Sequence, residues 1–120
     1  MGRRSRRQAK AAEAPQARGE DYADPEGNVL TLRGSLTIGS RRAYAEALTG
    51  NPLSLEDARA RAFELLFERL TVSWVIAGVA SASQKELLAR LRIATPAERE
   101  WVRETLRRHC AEHFPDVQAP

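Results

Sequence analysis

Apolar residues recur at every third or fourth position in the C-terminal third of the chain, which is the spacing of one buried helix face. Thr95 and Glu98 have the spacing of a capping box, and Pro96 occupies the first helical position, where its missing N–H costs nothing. Pro115 ends the pattern. The sequence therefore predicts a helix packed by one face, whose stripe comprises Trp101, Val102, Thr105, Leu106, His109 and Cys110.

A second apolar stripe marks the longest predicted helix, which Ser54 and Asp57 would cap. Two interpretations exist for its end, because residues 70–76 also alternate like a strand. In the first, the helix runs to about Ala77 and Gly78 stops it. In the second, residues 71–77 form a strand that pairs with residues 29–33. The continuous stripe favours the first; its members are Ala58, Ala62, Phe63, Leu66, Phe67, Leu70 and Trp74.

Two shorter helices complete the pattern. One is predicted over residues 38–49 and ends at Gly50, and Ser81 or Ser83 caps another that carries Leu87, Leu88 and Leu91. Residues 29–33 are β-branched, but they lack a clear partner strand and are expected to pack as an extended lead-in. The fold expected is therefore mainly α, a small bundle of three or four helices with a short extended segment near residues 29–33.

The N-terminal part of the chain differs from the rest in composition. Residues 1–26 contain almost no large apolar side chains, so we expect a disordered basic arm followed by an acidic linker. Residues 27–120 are expected to form a single helical domain. The first 18 residues carry six basic and one acidic side chain, a net charge of +5, whereas residues 19–120 carry thirteen basic and fifteen acidic ones, a net −2.

The basic arm is the candidate for nucleic-acid binding. Its cationic side chains suit non-specific, salt-sensitive contacts with phosphates, but no aromatic residues are interleaved for base stacking. The alternative is a solvated tail that binds nothing in particular. The residues concerned are Arg3, Arg4, Arg6, Arg7 and Lys10.

One cluster has the spacing of metal ligands: His109, Cys110 and His113. Zinc sites draw three or four ligands from at least two chain segments, and here only Glu112 or Asp116, close by in sequence, could add one. We therefore predict no metal site, and we expect Cys110 to be a small buried hydrophobe. Phosphate-binding loops and nucleophile motifs are also missing from the sequence, so we predict no catalytic residues, no cofactor and no enzymatic activity.

Trp74 and Trp101 are expected mainly as core anchors, although one of them could lie half exposed at an interface with a partner protein or a second copy. A single cysteine fits a reducing compartment, which favours the cytoplasm, and no apolar run reaches transmembrane length. The sequence thus predicts a non-enzymatic, helical protein-interaction module. The alternative is a nucleic-acid-associated accessory protein that uses the basic arm.

Several segments resemble a group of small, Arg- and Ala-rich bacterial proteins that have a basic N-terminus and no assigned activity. They are residues 30–34, 67–70, 86–90, 94–103 and 109–115. The resemblance implies a bacterial, cytoplasmic, helical domain over residues 27–120, and it transfers no functional residues. A fainter similarity, to helical tail-assembly chaperones of phages, covers Leu70 to Ile76.

Overall fold

The structure is a computed structural model that describes residues 19–49 and 55–120. These residues form a four-stranded antiparallel sheet, in the order β1-β2-β3-β4, and four helices that pack on one of its faces. The predicted mainly-α bundle is therefore wrong, because the chain combines helices with a sheet. In chain order the elements are β1 (Glu20–Ala23), β2 (Val29–Leu32), α1 (Ile38–Thr49), α2 (Leu55–Leu70), β3 (Thr71–Ile76), β4 (Val79–Ser81), α3 (Gln84–Arg92) and α4 (Pro96–His113).

The main correction concerns the end of the longest helix. Helix α2 ends at Leu70 rather than at Ala77, and β3 begins at the next residue. β3 pairs with β2, with Leu30 opposite Trp74, so the second of the two interpretations is the one that the structure contains. Leu70 and Trp74 both face the core, and their spacing of four made a strand resemble one more turn of helix.

Gly78 also has another role than the predicted helix stop. It lies with Ala77 in the two-residue turn that joins β3 to β4, and both residues have positive φ values, 81° and 51°. Two positive φ values in succession are typical of a type I′ turn, which matches the twist of a β-hairpin. Residues 71–81 are therefore a hairpin, and β4 forms one edge of the sheet.

The opposite edge strand, β1, lies in the segment expected to be a linker. None of its four residues is fully buried, and its sequence, EDYA, shows no apolar face that would predict a strand. It pairs with β2 from Glu20 opposite Leu32 to Ala23 opposite Val29. The Asp24 carboxylate shapes the connecting turn, because it accepts hydrogen bonds from the backbone N–H groups of Glu26 and Asn28.

The predicted start of the C-terminal helix is confirmed. Thr95 and Glu98 form the capping box of α4, with Pro96 as its first residue, and Ser83 and Glu86 do the same for α3. The buried core joins both helices to α1, α2 and the inner face of the sheet. Within the described parts of the chain, no helix combines the length and the apolar character needed to cross a membrane. The basic arm and the predicted Ser54 cap lie outside the described residues.

Candidate functional site

Four polar side chains from two distant parts of the chain meet where β1 crosses the C-terminal half of α4. We call Glu20, Tyr22, His109 and His113 the β1–α4 cluster. Side chains two positions apart on a strand share a face, so Glu20 and Tyr22 both point inward from β1. Side chains four positions apart on a helix are neighbours, and the two histidine rings of α4 lie with their centroids 4.4 Å apart.

His109 is the fixed member of this cluster. Its side chain is fully buried, and its Nε2 lies 2.7 Å from the carbonyl oxygen of Arg33. A carbonyl oxygen only accepts hydrogen bonds, so Nε2 carries the proton. In the neutral ring Nδ1 is then the acceptor, and it lies 2.7 Å from the hydroxyl of Tyr22. Burial lowers the pKa of His109, which favours the neutral ring.

Glu20 accepts a hydrogen bond from His113 and lies close to the other two side chains of the cluster. Its Oε1 lies 2.7 Å from Nε2 of His113, 3.2 Å from the hydroxyl of Tyr22 and 4.0 Å from Nδ1 of His109. The hydrogen bond from His113 is the largest cause that lowers the pKa of Glu20, so this carboxylate is ionised at neutral pH. Burial and the nearby carboxylate raise the pKa of Tyr22, which keeps its hydroxyl protonated. The cluster thus combines one negative charge with two imidazole rings.

The structure separates the cysteine from the two histidines between which it lies in sequence. Cys110 faces the hydrophobic core and is 1% exposed, so it is not part of the β1–α4 cluster. Burial raises the pKa of its thiol to about 11, which argues against a nucleophilic role. Of the other proposed neighbours, Asp116 forms an ion pair with Arg41, and Glu112 lies 4.0 Å from Nε2 of His113.

We expect the Cys110 thiol to be unreactive in the native protein. At pH 8 a thiol with a pKa of about 11 is about 0.1% thiolate, and its burial also denies access to the reagent. A disulfide reagent such as DTNB should therefore label Cys110 only after unfolding in guanidinium chloride. The control is Glu112→Cys in a Cys110→Ser background, which places an exposed thiol on the same helix and should react within seconds to minutes. Rapid native labelling of Cys110 would contradict the buried assignment.

The two tryptophans differ in exposure. Trp74 is 2% exposed and packs edge-to-face on Phe67 with ring centroids 5.8 Å apart, so it belongs to the core and is not an exposed interface residue of this chain. Trp101 is half-buried, and it lines a shallow surface cleft beside the β1–β2 turn together with Asp24 and Glu98. The arm residues proposed for nucleic-acid binding lie outside the described residues, so the structure gives no contacts for them.

A second notable surface is the outer face of the sheet. Ala23, Val29, Val75 and Ala80 are aligned by strand pairing into one apolar row across all four strands. None of these four residues is buried, because every buried strand residue lies on the inner face. Val79 of the edge strand β4 is 69% exposed, but it lies opposite Ile76 and therefore on the other face of the sheet from this row. Antiparallel sheets with a solvated face usually carry polar residues there, so this apolar row is a departure from the common pattern.

Sequence reasoning found the two histidines but missed Glu20, Tyr22 and the apolar row, because all of these depend on strand pairings that join distant segments. The only signal in the sequence was that Glu20 and Tyr22 are two positions apart, as on one face of a strand. In a strand of four residues this pattern is too short to recognise. In comparisons with models of protein families, with curated proteins and with solved structures, no match to this chain was found. The resemblance to small Arg- and Ala-rich bacterial proteins therefore stays a prediction.

Proposed function

We propose that this chain is a non-enzymatic protein-interaction module that binds an extended, apolar segment of a partner protein along β4. The observation that carries the proposal is the contrast between the two edges of the sheet. Edge strands of native sheets are commonly protected by charged side chains, and β1 carries Glu20 and Asp21. In contrast, residues 71–84, which contain the β3–β4 hairpin, include no charged residue.

The backbone of β4 is suited to accept another strand. In a hairpin with a two-residue turn, the pair next to the turn exchanges hydrogen bonds and the following pair does not. Ile76 and Val79 are the first pair here, and Val75 and Ala80 the second. The N–H and C=O groups of Ala80 therefore point away from β3, towards the open edge. A partner strand would bond to these groups and cover the adjacent apolar row, as in other cases of strand addition.

The short length of β4 favours a partner protein over a second copy of the chain. β4 has only three residues, so two copies related by a two-fold axis would share only a short ladder of hydrogen bonds. A longer strand from another protein can extend beyond β4 over the outer face. A cytoplasmic location is part of this proposal.

We expect Val79→Asp to weaken partner binding by about tenfold or more. Val79 is an exposed residue of the strand that would receive the partner, and a carboxylate there would have to lose its water beside an apolar partner strand. Ala80→Pro is expected to act similarly, since it removes the N–H that faces the open edge, a position where proline is tolerated in an edge strand. The partner is first captured from the native cell with the wild-type chain and identified by mass spectrometry. The dissociation constants of the variants are then measured with the purified partner.

Ile93→Asp provides the matched control, because Ile93 is 75% exposed and lies in the connection between α3 and α4 rather than in a strand. It should bind the partner like the wild type, and hydrogen exchange in the complex should slow at Ala80. Equal binding by Val79→Asp, Ala80→Pro and wild type would contradict the proposal. A dimer that Val79→Asp dissociates would show that the occupant is a second copy.

The alternative function, nucleic-acid association through the basic arm, is supported by the net charge of +5 over residues 1–18. In the same capture experiment, a chain that lacks residues 1–18 separates the two. It should keep the partner if β4 binds it, and it should lose salt-sensitive retention of nucleic acid if the arm binds phosphates.

A further inference from the structure

We propose that Glu20, His109 and His113 bind a divalent transition-metal ion, and that zinc fits the site best. One donor atom from each residue lies within 4.8 Å of the other two. Zinc binds imidazole nitrogens and carboxylate oxygens at about 2.0–2.2 Å, so ligands in a tetrahedral site lie roughly 3.3 Å apart. The two distances from Oε1 of Glu20, 2.7 Å to His113 and 4.0 Å to His109, lie on either side of that separation.

The donor set selects the class of ion. Two imidazoles and one carboxylate suit zinc and its neighbours in the first transition series, whereas calcium and magnesium prefer sites made of oxygen atoms alone. The ligands also come from two segments of the chain, α4 and β1. A zinc site needs ligands from a second segment, which the sequence pattern around His109 did not offer. The edge strand β1 supplies this ligand through Glu20.

The orientation of His109 is already that of a metal ligand. Metal-bound histidines usually donate the second ring N–H to a carbonyl or carboxylate, which fixes the tautomer. The carbonyl of Arg33 accepts this hydrogen bond from Nε2 of His109, so Nδ1 presents its lone pair to the cluster. The hydroxyl oxygen of Tyr22, which donates to this lone pair from 2.7 Å, must be displaced when an ion binds, and its proton can then turn to Oε1 of Glu20, which lies 3.2 Å away. Ion binding therefore leaves no buried polar atom without a partner.

The rearrangement needed involves Tyr22, whose hydroxyl must leave the lone pair of His109, and the two accessible ligands. Oε1 of Glu20 and Nε2 of His113, 2.7 Å apart, must separate by about half an ångström to reach tetrahedral spacing, and the more distant donors, up to 4.8 Å apart, must approach each other. The side chains of Glu20 and His113 are 45% and 32% exposed, in contrast to the fully buried His109, so they can move. His113 shifts its ring proton from Nε2 to Nδ1 and offers Nε2 to the ion. Water reaches the exposed side of the site and completes the coordination there.

The test uses the full chain without an affinity tag, after removal of metals with a chelator. Cobalt is titrated alone and followed by its visible absorption, and zinc is titrated alone by calorimetry. The wild type should bind one ion per chain. Glu20→Gln and His113→Gln should each weaken binding about 100-fold or more, since even the residues around a metal's ligands affect affinity by 10–100-fold.

Asp21→Asn is the matched control, because it removes the same charge from the neighbouring residue of β1, which points to the other face of the sheet. It should bind cobalt and zinc like the wild type, and so should Cys110→Ser, since Cys110 lies outside the site. His113→Gln keeps the test valid if Glu20→Gln loosens β1, because His113 lies on α4. A wild type that binds neither ion at one per chain, or His113→Gln and Glu20→Gln variants that bind as tightly as Asp21→Asn, would overturn the proposal.

Discussion

Replacing Trp74 by alanine is expected to lower the free energy of unfolding by about 3–5 kcal/mol, the usual cost of truncating a large buried aromatic side chain. Trp74 is 2% exposed, faces the inner side of the sheet opposite Leu30 and packs against Phe67 of α2. Its loss would leave a cavity between the sheet and α2. Because domains of this size are stable by only about 5–15 kcal/mol, a large part of the total stability would be lost. Urea unfolding followed by far-UV circular dichroism measures the change.

Two comparison variants make this result specific. Trp74→Phe retains a buried ring and removes Nε1, a buried donor that has no hydrogen-bond partner among the described residues, so it should cost less than about 2 kcal/mol. Val72→Ala alters a 37% exposed residue of the same strand and should cost about 1 kcal/mol or less. A cost for Trp74→Ala as small as that of Val72→Ala would show that the sheet does not pack on α2 in the way described.

The parts of the fold that sequence predicts well are those decided by local chemistry. Thr95 and Glu98 satisfy each other's backbone groups within one turn, so the start of α4 can be inferred without knowledge of the rest of the molecule. The end of α2 is different. Whether residues 71–76 continue the helix depends on pairing with residues 29–32, about forty positions earlier in the chain. Local apolar spacing fits both outcomes, so the pattern alone favoured the wrong one.

The same reasoning explains what was missed at the candidate site. The two histidines are four residues apart on one helix, and their proximity follows from helix geometry. Their partners Tyr22 and Glu20 lie 87 residues from His109 and 93 from His113, respectively. β1 buries none of its residues and carries two acidic ones, so it has the composition of a linker. Only its pairing with β2 brings a carboxylate to the histidines and turns a one-segment pattern into a two-segment site.

This arrangement links the candidate site to the stability of the edge strand. β1 has no fully buried side chain; it is held by its hydrogen bonds to β2, by the packing of the partly buried Tyr22 against the core and by the contacts of Glu20 and Tyr22 with α4. Segments with few buried contacts open at a lower free energy than the core. An ion bound by Glu20 and the α4 histidines would add a second attachment at this point.

Zinc at about 100 times its dissociation constant is therefore expected to stabilise the wild type by about 2.7 kcal/mol, the amount set by binding to the folded state alone. For a domain of this size this corresponds to a rise in the melting temperature of roughly 10 °C. Differential scanning calorimetry with and without zinc measures the shift, and addition of EDTA should reverse it.

The variants distinguish this effect from unspecific binding of zinc. Asp21→Asn should show the same rise as the wild type, whereas His113→Gln should show almost none at the same zinc concentration, because it retains only two of the three ligands. Hydrogen exchange gives a local measure, since zinc should slow exchange at those backbone amides of residues 20–23 that bond to β2. An equal rise in the melting temperature of His113→Gln would show that zinc binds elsewhere. If zinc does not raise the melting temperature of the wild type, the ion does not connect β1 to α4.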